Sequence, residues 1–154
     1  SSNNSETLSI AGTIAVINEM QERDTISHCW IIGKKLFEGW NHIVEKHGIN
    51  AKMIGYPIRM EPVCYDRHGK ESLALKSLIL QEMVKLGIFI STLGTVYLSY
   101  SHSEADIDQT LFALDNVCNN ISQKVTNEDY EKYLEGKMPK KIWTMKIPPT
   151  KKLK

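Results

Sequence analysis

The stretch that decides the fold runs from Gly87 to Leu111 and reads GIFISTLGTVYLSYSHSEADIDQTL. Its first glycine is typical of a helix end. Two runs of β-favouring residues follow, at about Ile88–Ser91 and Thr95–Tyr100, with a short turn between them. Ser103 with Asp106 three residues later fits a capping box, which marks the beginning of a helix. The stretch therefore predicts a helix end, two short strands and a new helix.

Working upstream, the hydrophobic periodicity predicts a helix at about Thr25–His47, because apolar residues recur there at steps of three and four. Two strands follow, at about Ala51–Gly55 and Ile58–Tyr65, and then a helix at about Lys70–Leu86. The helix at about Thr25–His47 is expected to bury Ile26, Trp30, Gly33, Phe37, Trp40 and Val44. The helix at about Lys70–Leu86 is expected to bury Leu75, Leu78, Ile79, Met83 and Leu86.

The start of the chain predicts a further helix that ends near Gln21. Asn3 followed by Glu6 fits a capping box, with Asn3 or Ser5 as the N-cap. Almost every residue in Leu8–Ile17 is apolar or small. A helix that is apolar on all sides is normally buried. We therefore expect this helix to pack against another part of a longer protein.

Downstream of Ser103 the pattern predicts a helix to about Ile121, followed by a short helix between Thr126 and Gly136. The apolar stripe of the longer helix consists of Ile107, Leu111, Leu114, Cys118 and Ile121. A lysine- and proline-rich tail follows, and we expect it to be extended and solvated. The strands thus lie in two pairs between helices.

This order of elements favours an α+β fold, with a small, three- to four-stranded, mainly antiparallel sheet and helices packed mostly on one face. We expect three regions along the chain. Residues 1–22 would form an interdomain helix, residues 23–122 the small α+β domain, and residues 123–154 a short helix and basic extended tail.

The composition is that of an ordinary globular protein, with 42% hydrophobic and 24% charged residues. A formal net charge of +1 argues against a dedicated nucleic-acid binder. No apolar run reaches the roughly 18 residues of a membrane-spanning helix. Cys29, Cys64 and Cys118 lack the spacing of metal ligands and are expected to be free thiols in a reducing cytoplasm. We therefore expect no nucleic acid, membrane or metal partner.

The five histidines are expected to have structural or surface positions rather than catalytic or metal-binding roles. His102 stands between a strand and a helix cap, where a structural role is expected rather than acid–base chemistry. His28, His42 and His47 lie on one predicted helix at spacings that make no metal face, so they are expected on its surface. His68 is placed in a solvent-exposed turn.

Two segments resemble a known enzyme family. Residues 102–108, HSEADID, are similar to the H-[ST]-x-x-D-I-D helix start of glutamate-1-semialdehyde aminomutases and related class III (fold-type I) aminotransferases. The opening SSNNSETLSIAG looks like the S-T-x-G-G-E-T-L-S-x-A-A stretch between the two domains of these enzymes. The resemblance covers about residues 1–143.

The resemblance implies a homodimeric parent enzyme that uses pyridoxal 5'-phosphate (PLP) on a small amino or oxo acid. In this family the lysine that carries PLP, and the carboxylate facing its pyridine nitrogen, lie before the position of Ser1. No catalytic residue is therefore expected in this chain, which alone should be inactive. Its small domain would close the active site and contribute to the dimer.

The resemblance also implies site residues. Ser2 takes the place of a threonine that contacts the cofactor phosphate of the neighbouring subunit, so Ser2 and Asn3 are the expected cofactor contacts beside a helix N-terminus. Asn4 and Ser5 replace the Gly pair of the family, which makes a close backbone approach to the phosphate less assured. The expected substrate-side residues are Ser91, Thr92, Gly94 and Arg59. A solvent-facing role is the alternative for Arg59.

Two readings outside this family stay open. One is a non-catalytic α+β ligand-binding or regulatory module, which would pack its first helix within this chain. The other is a nucleic-acid binder that uses the lysine tail.

Overall fold

The computed structural model describes residues 6–91, 95–125 and 127–139, and its architecture is α+β, as predicted. The regular elements, in chain order, are α1 (Thr7–Glu22), α2 (Thr25–Lys46), β1 (Ala51–Tyr56), β2 (Arg59–Cys64), α3 (Leu73–Lys85), β3 (Val96–Tyr97) and α4 (Glu104–Lys124). A 3-10 turn at Tyr130–Tyr133 stands where a short helix was expected. Thr126, its predicted start, lies outside the described residues.

The three strands form one antiparallel sheet in the order β1-β2-β3. A two-residue turn joins β1 and β2, so that Tyr56 pairs with Arg59 across the hairpin. Strand β3 extends the sheet by pairing Tyr97 with Arg59 and Val96 with Met60. Inward residues such as Met53 and Met60 are almost fully buried, whereas most of the opposite face is exposed.

The strand predicted at Ile88–Ser91 is wrong, because these residues have no strand pairing in the structure. The amide of Ile88 instead bonds to the carbonyl of Met83 at the end of α3. Ile88 and Ile90 are half-buried while Phe89 between them is 82% exposed. Ile88 and Ile90 thus pack against the core and account for the alternating pattern, although no neighbouring strand is hydrogen-bonded to this segment.

Helix α2 supplies the central wall of the core, but its buried stripe begins later than predicted. Its buried residues are Ile32, Gly33, Leu36, Trp40, Ile43 and Val44. Ile26 and Trp30 were expected inside and are 59% and 42% exposed. The first turns of α2 lie beside α1, which buries none of its own residues, so both side chains receive little cover.

Helix α1 has the predicted length but a different beginning. Its N-cap is Glu6, whereas Asn3 or Ser5 was predicted; Glu6 has an extended backbone and makes no side-chain cap. Glu6 instead accepts a hydrogen bond of 2.6 Å from the Ser9 hydroxyl. Both predicted caps lie outside the described residues. No residue of α1 is buried, and Leu8 is 78% exposed.

Helices α3 and α4 follow the sequence pattern closely. Four of the five residues predicted to face the core on α3 are buried, whereas Leu86 is the C-cap and 46% exposed because the helix ends one residue earlier. Gly87 then reverses the chain at a φ of +83°. At the start of α4, Ser103 and Asp106 form the predicted capping box. The predicted stripe of α4 is buried, with Leu111 half-buried.

Within the described residues, no helix is long and apolar enough to cross a membrane. All three cysteines are free thiols, as predicted; Cys64 and Cys118 are buried and Cys29 is half-buried. Burial raises the pKa of the Cys64 and Cys118 thiols to about 12, so both stay protonated. A protonated, buried thiol is a poor nucleophile, and the chain offers no reactive cysteine in its core.

Candidate functional site

Arg59 stands in the middle of a row of three residues that crosses one end of the sheet. It pairs with Tyr56 on β1 and with Tyr97 on β3. Directly paired residues of antiparallel strands point to the same face. All three are exposed, Tyr56 by 71% and Tyr97 by 61%. The row therefore presents one cation between two phenol rings on the open face of the sheet.

The Arg59 side chain is bound to only one of the two tyrosines. Its Nε donates a hydrogen bond of 3.3 Å to the Tyr97 hydroxyl, and its guanidinium carbon lies 6.0 Å from the Tyr97 ring centre. Among the described residues, no carboxylate forms an ion pair with Arg59. The terminal amino groups of the guanidinium therefore have no partner in this part of the chain, and they remain donors for an anion.

The same contact shapes the electrostatics of both side chains. The hydrogen bond from Arg59 holds the pKa of the Tyr97 phenol below its usual range. In return, the Tyr97 hydroxyl raises the pKa of Arg59, whose guanidinium is charged at any physiological pH in any case. The Tyr97 hydroxyl is thus an acceptor for Arg59 and a polarised group at the sheet edge.

A cleft of about 260 Å³ lies beside Tyr97, between the 88–91 segment, β3 and the start of α4. Its polar lining comes from Ser91, Thr95, Tyr97, His102, Asp106 and Thr110. Apolar side chains, among them Leu36 and Ile107, form much of the remaining wall. A small molecule with an apolar body and one or two polar groups matches this lining.

A second cleft, of about 310 Å³, lies on the other side of the 88–91 segment, against α3 and residues 134–139. Its walls include Leu80, Val84 and Phe89. Ser77 also lines it, and its buried hydroxyl has no hydrogen-bond partner among the described residues. Ser91 lines both clefts, so the end of this segment separates them.

Two of the predicted site residues, Arg59 and Ser91, are linked through a third residue, Tyr97. Arg59 contacts Tyr97, and Ser91 lines the cleft that Tyr97 also lines. Tyr97, which links them, was not predicted. The missing signal was the register of β3 on β2, which a strand pattern alone does not give. Four predicted residues lie outside the described residues: Ser2, Asn3, Thr92 and Gly94.

Three of the histidines contact other parts of the fold, and His42 is exposed on the surface. His102 has the predicted structural role, because its Nδ1 accepts a hydrogen bond of 3.1 Å from the Ser99 amide. His28 was expected on the helix surface but is half-buried, with Nε2 donating to the His102 carbonyl at 2.8 Å. His47 also departs from that expectation, because its side chain is 12% exposed and 2.9 Å from Asp115.

The surface prediction failed for these two residues because helix periodicity does not show where neighbouring segments cross the helix. His42 is exposed, as predicted. The described residues contain no group of three metal-ligating side chains.

One ion pair joins the buried side chain of Lys76 on α3 to Glu61 on β2. The Lys76 side chain is 4% exposed, and its Nζ lies 3.1 Å from a carboxylate oxygen of Glu61, which is 41% exposed. A buried ammonium needs such a partner, because burial without one is costly. This pair ties α3 to β2 and engages the carboxylate of Glu61, which lies two residues after Arg59 on the same face of the strand.

No family model matches the chain. Over 99 residues it is 32% identical to glutamate-1-semialdehyde 2,1-aminomutase 2 of Staphylococcus haemolyticus, a match covering 58% of this chain and 23% of that protein. Over 102 residues it is 30% identical to glutamate-1-semialdehyde 2,1-aminomutase 1 of Staphylococcus carnosus, covering 60% and 24%. The chain thus spans 23% to 24% of the length of these relatives, in their C-terminal part.

Solved structures share the fold. The FumI protein of Sphingopyxis sp. MTA144 superposes with a TM-score of 0.64 at 18% identity, covering 71% of this chain and 26% of that one. A β-phenylalanine aminotransferase from Variovorax paradoxus gives a TM-score of 0.55 at 18% identity, covering 63% and 24%. The resemblance seen in the sequence is confirmed: the chain is similar to the C-terminal part of the aminomutases, and its fold matches about a quarter of each of these solved structures.

Proposed function

We propose that this chain is the C-terminal part of a PLP-dependent class III aminotransferase or aminomutase that resembles glutamate-1-semialdehyde 2,1-aminomutase. The observation that carries the proposal is the 32% identity over 99 residues to the C-terminal part of such an aminomutase. The chain would consist of an interdomain helix at 1–22, a small domain at 23–122 and a tail at 123–154. The parent would be a cytoplasmic homodimer that acts on a small amino or oxo acid.

The exposure of α1 supports a role at a domain and subunit boundary. No charged residue occurs in the run from Thr7 to Asn18, and none of it is buried. Large apolar side chains on different sides of this helix are exposed, including Ile14 by 56% and Val16 by 58%. Exposed apolar surface of this kind marks an interaction site. We infer that the large domain and the second subunit cover it.

The start of α1 is also suited to the cofactor phosphate. No acidic residue occurs in the first turn of α1, and the one carboxylate next to it, that of the N-cap Glu6, accepts a hydrogen bond from Ser9 and keeps its charge. Free amide groups at such a helix end attract an anion. We propose that Ser2 and Asn3 add donors there to the PLP of the neighbouring subunit. PLP itself, held by a lysine upstream of Ser1, would supply the electron sink of the reaction.

The small domain would bind, orient and enclose the substrate. Ser91, Thr92 and Gly94 are proposed to line its entrance, and Arg59 to bind a carboxylate through paired donors. Closure of this domain would exclude water from the reacting atoms and fix the substrate in place. Because the resemblance implies a PLP-carrying lysine upstream of Ser1, we expect the isolated chain to be inactive.

The regulatory-module alternative is less well supported. It requires the first helix to pack within the chain, whereas α1 buries none of its residues. The structure thus offers no observation that favours an independent module.

The experiment is an amino-transfer assay on the complete reading frame that contains this chain, using a panel of amino and oxo acids with PLP. We expect turnover by the complete protein and none by the 154-residue chain alone. A complete frame that has a PLP-carrying lysine domain yet moves no amino group would contradict the proposal, as would turnover by the isolated chain.

A further inference from the structure

We propose that Tyr97 is a positioning residue: it holds Arg59 by Nε, so that the free end of the guanidinium binds a carboxylate group beside the cleft along β3. This inference rests on the proposed function only for the identity of the ligand as a substrate. The binding chemistry follows from the side chains of this chain alone.

The hydrogen bond to Tyr97 leaves the terminal amino groups of the Arg59 guanidinium available as donors. Because Nε is used by the Tyr97 hydroxyl at 3.3 Å, the donors left over are those of the two terminal amino groups. These donors form a planar fork that matches the two oxygens of a carboxylate. The ring of Tyr97, with its centre 6.0 Å from the guanidinium carbon, gives the cation a second point of contact.

The second step is the charge around Arg59. The nearest residues in the row, Tyr56 and Tyr97, carry no charge when protonated. Glu61 lies two residues further along β2 on the same face, but its carboxylate is bound by Lys76 at 3.1 Å. Among the described residues, no acid forms an ion pair with Arg59, and the one carboxylate that lines the neighbouring cleft, Asp106, accepts hydrogen bonds from the Ser103 amide and hydroxyl.

The third step is the space next to the pair. Tyr97 also lines the cleft of about 260 Å³ together with Ser91 and Thr95. Arg59 is not among the residues that line this cleft, and Tyr97 is the residue that joins it to the cleft, so a carboxylate held by Arg59 would belong to a molecule that reaches the cleft past the Tyr97 side chain. Mixed polar and apolar lining suits a short carbon chain with a further polar group. The ligand class is therefore a small carboxylate, not an inorganic anion.

The test is a titration of the 15N-labelled 154-residue chain with succinate, followed by NMR signals of the Arg59 Nε–H and the Tyr97 amide. We expect saturable shifts with succinate and none with its uncharged analogue, succinamide. Tyr97→Phe keeps the ring but removes the acceptor, and should weaken succinate binding at least about fivefold. Arg59→Lys should weaken it as well, because an ammonium cannot form the planar fork.

Tyr56→Phe is the matched control. Tyr56 flanks Arg59 in the same row, but no hydrogen bond joins the two in the described part of the chain, so succinate affinity should change less than about twofold. The thermal midpoint of each variant separates positioning from folding. A lower midpoint for Tyr97→Phe with unchanged succinate affinity would overturn the inference.

Two further outcomes would also overturn it: absence of any succinate binding by the unaltered chain, and tighter binding of inorganic phosphate than of succinate. Neither result affects the amino-transfer assay of the complete protein. Failure of this inference and failure of the proposed function are therefore distinguishable.

Discussion

The backbone carbonyl of Pro57, in the hairpin turn between β1 and β2, lies directly against Gly33 of α2. A Cβ atom at Gly33 would stand 2.7 Å from the Pro57 carbonyl carbon and 3.2 Å from Cδ1 of Leu98. Backbone cannot move aside as a flexible side chain can. Gly33 thus fixes how closely the hairpin approaches α2, and so where the neighbouring Arg59 lies.

Gly33→Ala is expected to destabilise the chain by about 1–3 kcal/mol, because the added methyl group must displace the Pro57 carbonyl. Urea denaturation of the 154-residue chain measures this change. Gly12→Ala in α1 is the matched control, since nothing lies within 4 Å of its Cβ position. Its stability should be equal to the original or higher by up to about 1 kcal/mol. Equal effects of the two substitutions would contradict the close packing at Pro57.

The Lys76–Glu61 pair should respond unequally to the loss of each partner. Glu61→Ala leaves a buried ammonium without its carboxylate and should cost roughly 1–3 kcal/mol of unfolding free energy. Lys76→Met fills similar space without charge and should cost less. The double substitution should be more stable than Glu61→Ala alone. Chemical denaturation of all three variants gives the comparison.

Glu38→Ala serves as the control for that comparison, since Glu38 is an exposed carboxylate whose ion pair with Lys34 measures 3.8 Å. Its removal should change stability by less than about 0.5 kcal/mol. If Glu61→Ala costs no more than Glu38→Ala, Lys76 is not held as a buried cation.

Asp115 should make stability depend on pH in the acid range. Hydrogen bonds from Lys46 and then His47 hold the pKa of Asp115 below its usual range. A carboxyl with a depressed folded-state pKa stabilises above its unfolded pKa, near 3.8, and loses that contribution as pH falls through the folded value. Asp115→Asn should therefore lower stability at pH 7, by up to about 1 kcal/mol. The difference should shrink below about pH 4.

Thermal unfolding at a series of pH values measures this dependence. Glu45→Gln is the control, because Glu45 is exposed and its side chain has no hydrogen bond or ion pair within the described residues. A stability difference between Asp115→Asn and the original chain that stays constant from pH 7 to pH 3 would contradict the assigned cause.

Local chemistry predicted much of the fold. The Ser103–Asp106 capping box needs only residues three apart, and the hairpin around Pro57 needs only two β-rich runs with a turn between them. Both were found where the pattern places them. The packed face of α4 also followed from its apolar spacing, since one helix surface repeats every three to four residues.

The remaining predictions failed where burial or pairing depends on distant parts of the chain. Ile26 and Trp30 continue the apolar stripe of α2, but the described chain has too little beside them to cover them. The Ile88–Ser91 run has strand-like alternation yet no pairing neighbour. The same limit applies to the site: Arg59 and Ser91 could be named from the sequence and the resemblance, whereas Tyr97 required the strand register.

We propose that the chain completes a PLP enzyme whose cofactor lysine lies outside it. The most direct measurement is borohydride reduction of the complete protein with PLP, followed by mass spectrometry of its peptides to locate the modified residue. We expect one stably modified lysine upstream of Ser1 and none within residues 1–154. Modification confined to a lysine of this chain, or no modification of the complete protein at all, would contradict it.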